Sequence, residues 1–219
     1  MIDSVIFWGA TGQAKVLREL LGTQGPRLVA IFDNRLDVES PWPDIPLHQG
    51  WAGFEAWKAR QADLTRIGCL VAIGGARGAD RILIQKSLAT AGLTPLVARH
   101  PTAFVAGSAR LGDGCQILAQ AVVGVEARLG GACIINTSAT VDHECRLGDG
   151  VHVAPGANIT GLVEIGDGVL VGAGAVILPR IVIGAGAVVG AGAVVTRNVA
   201  AGDVVFGNPA RSRGRKDSR

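Results

Sequence analysis

The chain is poor in the residues that disulfide and metal chemistry use: 219 residues contain four cysteines and four histidines. Three of the cysteines (Cys115, Cys133 and Cys145) fall on one apolar column, and Cys69 lies in a strand-like apolar run. They read as small core residues in a reducing cytoplasm, not as a disulfide framework. A net charge of +3 is too small to argue for nucleic acid. The opening Met-Ile-Asp-Ser-Val lacks the basic segment of a signal peptide. Charge is also scarce between Gly168 and Val195, where only Arg180 carries one, so a hydropathy window would read a membrane span there. A six-residue register and dense Gly and Pro argue against a span, and the mean hydropathy of +0.36 reflects the same composition.

From Val105 to Val195 every sixth residue is Leu, Ile or Val without a break. Four places after each comes another small or apolar residue, from Ala109, Cys115 and Ala121 through Val163, Val169 and Ala175 to Val199. This periodicity predicts a parallel β-helix in which each repeat is a short strand plus a turn, and stacked coils bury continuous columns of side chains. With about eighteen residues per coil, the segment makes roughly five coils of a triangular prism.

The first hundred residues follow another grammar. Ser4–Trp8 reads as a strand, Gly9-Ala10-Thr11-Gly12 as a turn, and residues 13–21 as a helix with Val16, Leu17, Leu20 and Leu21 on one side. Further strands are expected at residues 27–32, 67–73 and 94–97, and helices at 51–60 and 77–91, with a Pro-rich loop (Pro41, Pro43, Pro46) between. Alternation of this kind implies a small parallel, Rossmann-like sheet. The expected organisation is an α/β domain over residues 1–100, a β-helix over 101–200 with His100-Pro101 at the boundary, and a basic tail over 201–219.

Several residues could do chemistry. The Gly9–Gly12 turn between strand and helix can hold a phosphate on backbone N–H groups, or can simply be a tight turn. Asp33, at the end of the second strand, sits where ribose or base contacts occur in such sheets, although a capping aspartate fits as well. His143 and His152 lie off both inward columns and should reach the outer surface. An imidazole next to Glu144 suits a general base. The two are half a coil apart, so one site can use both only where neighbouring protomers pack side by side. A zinc site of the β-helix hydratase type would be one histidine short, so no metal is expected. The inward register of Cys145 makes it inert as a nucleophile, and nothing supports a nicotinamide enzyme.

The strand-Gly-Ala-Thr-Gly opening, Asp33, Ala72-Ile73-Gly74 with Arg81, His100-Pro101, Asn136-Thr137-Ser138 with His143-Glu144, His152, Gly161 and the Gly207-Asn208-Pro209-Ala210-Arg211 end together resemble one family. It is the nucleotide-sugar N-acetyltransferases of the sialic acid O-acetyltransferase-like group, which includes bacillosamine and perosamine N-acetyltransferases. The resemblance spans essentially the whole chain. It implies a left-handed coil, a handedness that spacing alone does not give and that departs from the usual crossover rule.

The resemblance also implies a homotrimer with acetyl-CoA in the groove between adjacent prisms and a nucleotide sugar held by the N-terminal sheet, with no nucleic acid or membrane partner. His143 is then the base and Glu144 its support. His152, Gly161, Ala173, Ala191 and Arg211 contact the coenzyme, with the Gly161 N–H facing the acetyl carbonyl oxygen. Gly9, Thr11, Gly12, Asp33, Asn34, Gly74, Arg81 and Asn136 contact the substrate. Gln13 departs from the pattern, because relatives often carry His there. The leading expectation is transfer to the 4-amino group of a GDP-linked 4-amino-4,6-dideoxy sugar, perosamine. UDP- or dTDP-linked amino sugars, O-acetylation of a sialic-acid-type sugar, and a structural or binding β-helix without catalysis are the alternatives. The run from Arg211 to Lys216 is either a partner for the coenzyme phosphates or a solvated tail.

Overall fold

The computed structural model describes residues 2–22 and 25–215. It holds a three-layer α/β unit seated on a left-handed parallel β-helix. Strand β1 (Ser4–Trp8) is the centre of the first unit: Val5, Ile6, Phe7 and Trp8 are all buried. A strand covered on both faces needs such an unbroken apolar run. It pairs in parallel with β2 (Arg27–Asp33) on one side and, across residues 67–71, with the strand Ile67–Val71 on the other.

The remaining edge strands are Leu47–Gln49 beyond β2 and Thr94–Pro95 beyond Ile67–Val71. In chain order Leu47–Gln49 is β3, Ile67–Val71 is β4 and Thr94–Pro95 is β5, giving the spatial order β3-β2-β1-β4-β5. Strand β3 was not expected from the sequence. It is three residues long, follows the Pro-rich loop and carries only half-buried or exposed side chains, so it lacks an alternation to read.

Helix α1 (Gly12–Leu21) packs Ala14, Leu17 and Leu20 against one face of the sheet. Val16 was expected on that side but is 42% exposed, because at 100° per residue it falls off the Ala14–Leu17–Leu20 stripe. Helices α2 (Gly50–Lys58) and α3 (Gly78–Thr90) cover the other face, where Trp8, Phe32, Phe54 and Trp57 form an aromatic cluster with Ile84 and Leu88. The α1 face is completed by the prism itself, through Leu118 and Ile134.

The prism consists of two-residue strands every six residues, stacked into three parallel sheets with partners eighteen apart, as in Val122↔Thr140 and Ile134↔His152. Both sequence columns line its core, including Ile117, Val123, Ile135, Val141 and Val153 with Cys115, Ala121, Cys133 and Cys145. The three cysteine thiols each donate to a carbonyl fifteen residues on, at Gly130, Gly148 and Thr160. Burial pushes the Cys145 thiol above its ordinary range, which keeps it protonated and unreactive.

The prism begins before His100-Pro101, since Ala98–Arg99 already pairs with Gln116–Ile117. At the other end Asp203–Phe206 extends the same sheet, and Arg211–Arg215 folds back on it as an antiparallel strand. The first part of the basic run is therefore a strand, with residues 211–214 exposed, while Lys216 and Arg219 lie outside the described residues. No helix among the described residues is long and apolar enough to cross a membrane.

Candidate active site

The order β3-β2-β1-β4-β5 reverses direction between β1 and β4, and a cleft of about 550 Å³ opens there at the carboxyl ends of the strands. Ligands of open α/β sheets occupy that position. Gly9 closes β1 with φ of +112°, and a side chain there would overlap the carbonyl oxygen of Ala72. A glycine is thus what lets the two strand ends approach. Helix α1 starts at Gly12 beside the cleft without a side-chain cap on Thr11, and the Gly12 and Gln13 N–H groups have no acceptor among the described residues, as an anion site requires.

Gly9, Thr11, Asp33, Asn34 and Gly74 line the cleft. Asp33 is buried, and its carboxylate takes the Ala10 N–H at 3.0 Å and a side-on fork from Arg35, Nε at 3.0 Å and Nη2 at 2.8 Å. Burial raises its pKa, but the hydrogen bonds from Arg35 and Ala10 outweigh this and hold it below the usual range. Arg35, Trp51 and Arg77 also line the cleft, and sequence reasoning missed them. Arg35 stands two residues from a flagged aspartate; Trp51 stands in the first turn of α2, just after the unexpected β3, and its ring centroid lies 4.0 Å from that of Trp8.

Gln13 bridges the cleft to the prism. Its Nε2 donates to Gln116 Oε1 at 2.7 Å, and the buried Gln116 donates on to Val71 O at 2.8 Å. Arg81 was expected to touch substrate, and the structure corrects this. It is fully buried, outside the cleft lining, with its guanidinium spent on backbone carbonyls of both units.

His143 sits in a prism corner after the strand Thr140–Val141, with its side chain 50% exposed. Its Nδ1 lies 3.1 Å from Glu144 Oε2, and its backbone N–H donates to Asp142 Oδ1 at 2.7 Å. A carboxylate can only accept, so Nδ1 carries a proton, and in the neutral ring Nε2 keeps its lone pair. One coil on is Gly161, and any side chain there would fall on the imidazole. The Gly161 N–H has no acceptor among the described residues, although the residue is buried.

His152 departs from expectation. It lies outside the prism core as its register implies, but the α/β unit covers it and leaves it 6% exposed. Its Nδ1 lies 3.3 Å from Gly75 O and its Nε2 lies 3.1 Å from Asn136 Nδ2. Asn136 therefore faces this ring and, through its Oδ1, the Thr137 N–H. Burial first, then the Arg81 charge, push the His152 pKa down to about 4.

His152 lies on a strand of one sheet of the prism and His143 in the turn between strands of the other two, so one chain does not bring them together. Ala173 and Ala191 are exposed at corners linked by Gly192 N to Ala173 O, and Arg211 is exposed on the final strand. No group of three His, Cys, Asp or Glu that could hold a metal occurs among the described residues.

Comparison with known proteins sets the class first. The family model of bacterial transferase hexapeptide (six repeats) matches residues 163–197, and no curated protein matches. Perosamine N-acetyltransferase from Caulobacter crescentus, solved as a histidine-to-asparagine mutant in complex with CoA and GDP-perosamine, superposes with a TM-score of 0.88 at 31% identity, covering 98% of each chain. The acetyltransferase domain of PglB from Neisseria gonorrhoeae FA1090 gives 0.84 at 30% identity, covering 96% of this chain and 99% of that one. WeeI from Acinetobacter baumannii AYE gives 0.82 at 27%, covering 95% and 99%. The chain belongs to the family of hexapeptide-repeat sugar N-acetyltransferases.

The buried histidine makes stability depend on pH. Its folded pKa of about 4 lies below the ordinary 6.5, so between these values the unfolded chain binds more protons than the native one. Stability is complete above pH 6.5 and is lost as pH falls toward 4, by about 3 kcal/mol for this one group. Thermal unfolding across that window should show the loss, and His152→Gln should flatten its slope; an equally steep slope in the variant would assign it elsewhere.

Proposed function

We propose that this protein transfers the acetyl group of acetyl-CoA to the 4-amino group of a nucleotide-linked 4-amino-4,6-dideoxy sugar, with GDP-perosamine as the leading substrate. The observation that carries the reading is the corner at His143: an imidazole fixed by a carboxylate on one nitrogen, with the other bare, over a glycine that leaves room for it. Glu144 holds the ring and stabilises the imidazolium, while His143 Nε2 takes the proton as the sugar amine attacks the thioester carbonyl. The free Gly161 N–H beside that ring is the donor for the oxyanion, a role typically worth about 3 kcal/mol. His143 then passes its proton to the departing thiolate. No covalent enzyme intermediate is needed.

The unpaired N-terminus of α1 suits the diphosphate, and Asp33 suits the base. Asp33 already satisfies a planar fork of N–H donors from Arg35, the same pattern that guanine offers with its N1–H and N2–H2. The perosamine enzyme of Caulobacter crescentus, alike over the whole chain, was solved with CoA and GDP-perosamine, which supports the choice of both. Ala173, Ala191 and Arg211 are assigned to the coenzyme groove, which a homotrimer would complete by setting one prism corner against another. A thiol-release assay with acetyl-CoA against GDP-, UDP- and dTDP-linked 4-amino sugars tests the substrate directly.

His143→Asn should lose about 10²- to 10⁴-fold in turnover while still binding acetyl-CoA, because it deletes the base and leaves the groove. A variant within about threefold of the parent would sink the assignment. Asp33→Ala should raise the KM for the nucleotide sugar about ten- to a hundredfold, the size of a hydrogen bond to a charged acceptor, and leave that for acetyl-CoA unchanged. An equal rise in both would point to a misfolded cleft. Sedimentation should give a trimer, and an active monomer would rule out a site shared between prisms.

A further inference from the structure

Arg81 is a fully buried cation with no ion-pair partner among the described residues. Its guanidinium is spread over four backbone carbonyls: Nε donates to Ala132 O at 3.1 Å, Nη1 to Ile73 O at 3.2 Å and to Gly75 O at 3.3 Å, and Nη2 to Gly150 O at 2.6 Å. Two of these acceptors lie on the loop after β4, and two lie on the prism. A rigid planar fork can span such a set, and an ammonium cannot. Desolvation lowers the Arg81 pKa to about 10, which leaves it charged at neutral pH. A brace made only for stability needs no buried charge, since removing a charge from water costs several kcal/mol in general.

The placement explains the charge. Ile73 and Gly74 line the nucleotide cleft, and Gly75 O accepts from both Arg81 and His152 Nδ1. We propose that Arg81 is a positioning residue of the acetyl-transfer site, which grips the Ile73–Gly75 loop and the prism together and thereby fixes both the cleft floor and the His152 ring. This rests on the reading of the cleft as the nucleotide-sugar site. His152 faces Gly74 and Gly75 from the loop, Arg81 from α3 and Asn136 from the coil before it, and Arg81 is the charged group among them. Buried and beside this cation, His152 stays neutral, donates from Nδ1 to Gly75 O and accepts from Asn136 at Nε2.

Two variants separate this role from plain bracing. Arg81→Met, of similar reach but uncharged, should move the titration of the His152 ring upward from about 4 by at least about one pH unit. Ring NMR reads this on the intact protein, with His152→Gln identifying the signal. Arg81→Lys keeps the charge and loses the fork; it should raise the KM for the nucleotide sugar about tenfold and change that for acetyl-CoA by less than about threefold.

A fall in melting temperature with the His152 titration unchanged in Arg81→Met, or with the sugar KM unchanged in Arg81→Lys, would reduce Arg81 to a structural brace and overturn the proposal. If Arg81→Met does not fold, the Arg81→Lys kinetics decide. Failure of the parent protein to acetylate any nucleotide-linked amino sugar would remove the functional reading, and the titration arm would then judge Arg81 independently of activity.

Discussion

Strand pairing between coils, each strand residue facing the one eighteen further on, is the constraint from which the rest of this molecule is built. Pairs such as Thr140↔Asn158 and His152↔Leu170 repeat it without a slip from Ala98 to Val195. Because each coil contacts only its neighbours, stability accumulates along one axis. It also turns sequence distance into height, so a residue and its successor eighteen places on occupy the same corner in adjacent coils. His143 over Gly161 is one outcome of that rule. A ring that leans over the next coil, as that of His143 does, therefore needs a small residue there, and the stack keeps the pair in register without any local device.

The second level of organisation is the seam between the α/β unit and the prism. Its apolar part is Leu118 and Ile134 against Phe7, Leu17 and Leu70. Its polar part is the Gln13–Gln116–Val71 relay, the Arg81 fork and His152. Buried polar groups of this kind cost free energy unless each finds a partner, and here each is hydrogen-bonded. Apolar packing would tolerate small slides of one unit on the other, whereas directional bonds fix the loop at Ile73–Gly75 relative to the prism. The cleft floor and the seam are thus the same piece of chain.

What the sequence made legible follows from the same physics. The column residues were readable because their burial is decided within the prism, and β1 was readable because a central strand is apolar on both faces. Outward residues are different: nothing in the spacing of His152 tells whether solvent or another unit covers it, and the α/β unit does. Arg81 was misread for a related reason, since a basic residue near a glycine loop looks like a ligand contact until the carbonyls of a second unit fill its donors. Strand β3 and the strand Arg211–Arg215 escaped notice because short, polar edge strands lack the period that makes strands visible. Their pairing partners, Ile31–Asp33 and Asp203–Phe206, supply the order that composition does not.

The two prism histidines show how far environment divides one residue type. Both are off the core columns, and in both Nδ1 meets an oxygen. For His152 the oxygen is a backbone carbonyl, Nε2 is engaged by an amide, and a guanidinium stands nearby, so the ring is saturated, neutral and closed to a reacting amine. For His143 the oxygen is a carboxylate, the side chain is half exposed, and Nε2 has no partner among the described residues. A general base must hold a free lone pair and gain from becoming a cation. A carboxylate faces Nδ1 at His143, whereas at His152 burial first and the Arg81 charge second withhold that gain. The difference between them is set by burial together with the neighbouring charge: a carboxylate beside a half-exposed ring at His143, a guanidinium near a ring that the α/β unit covers at His152.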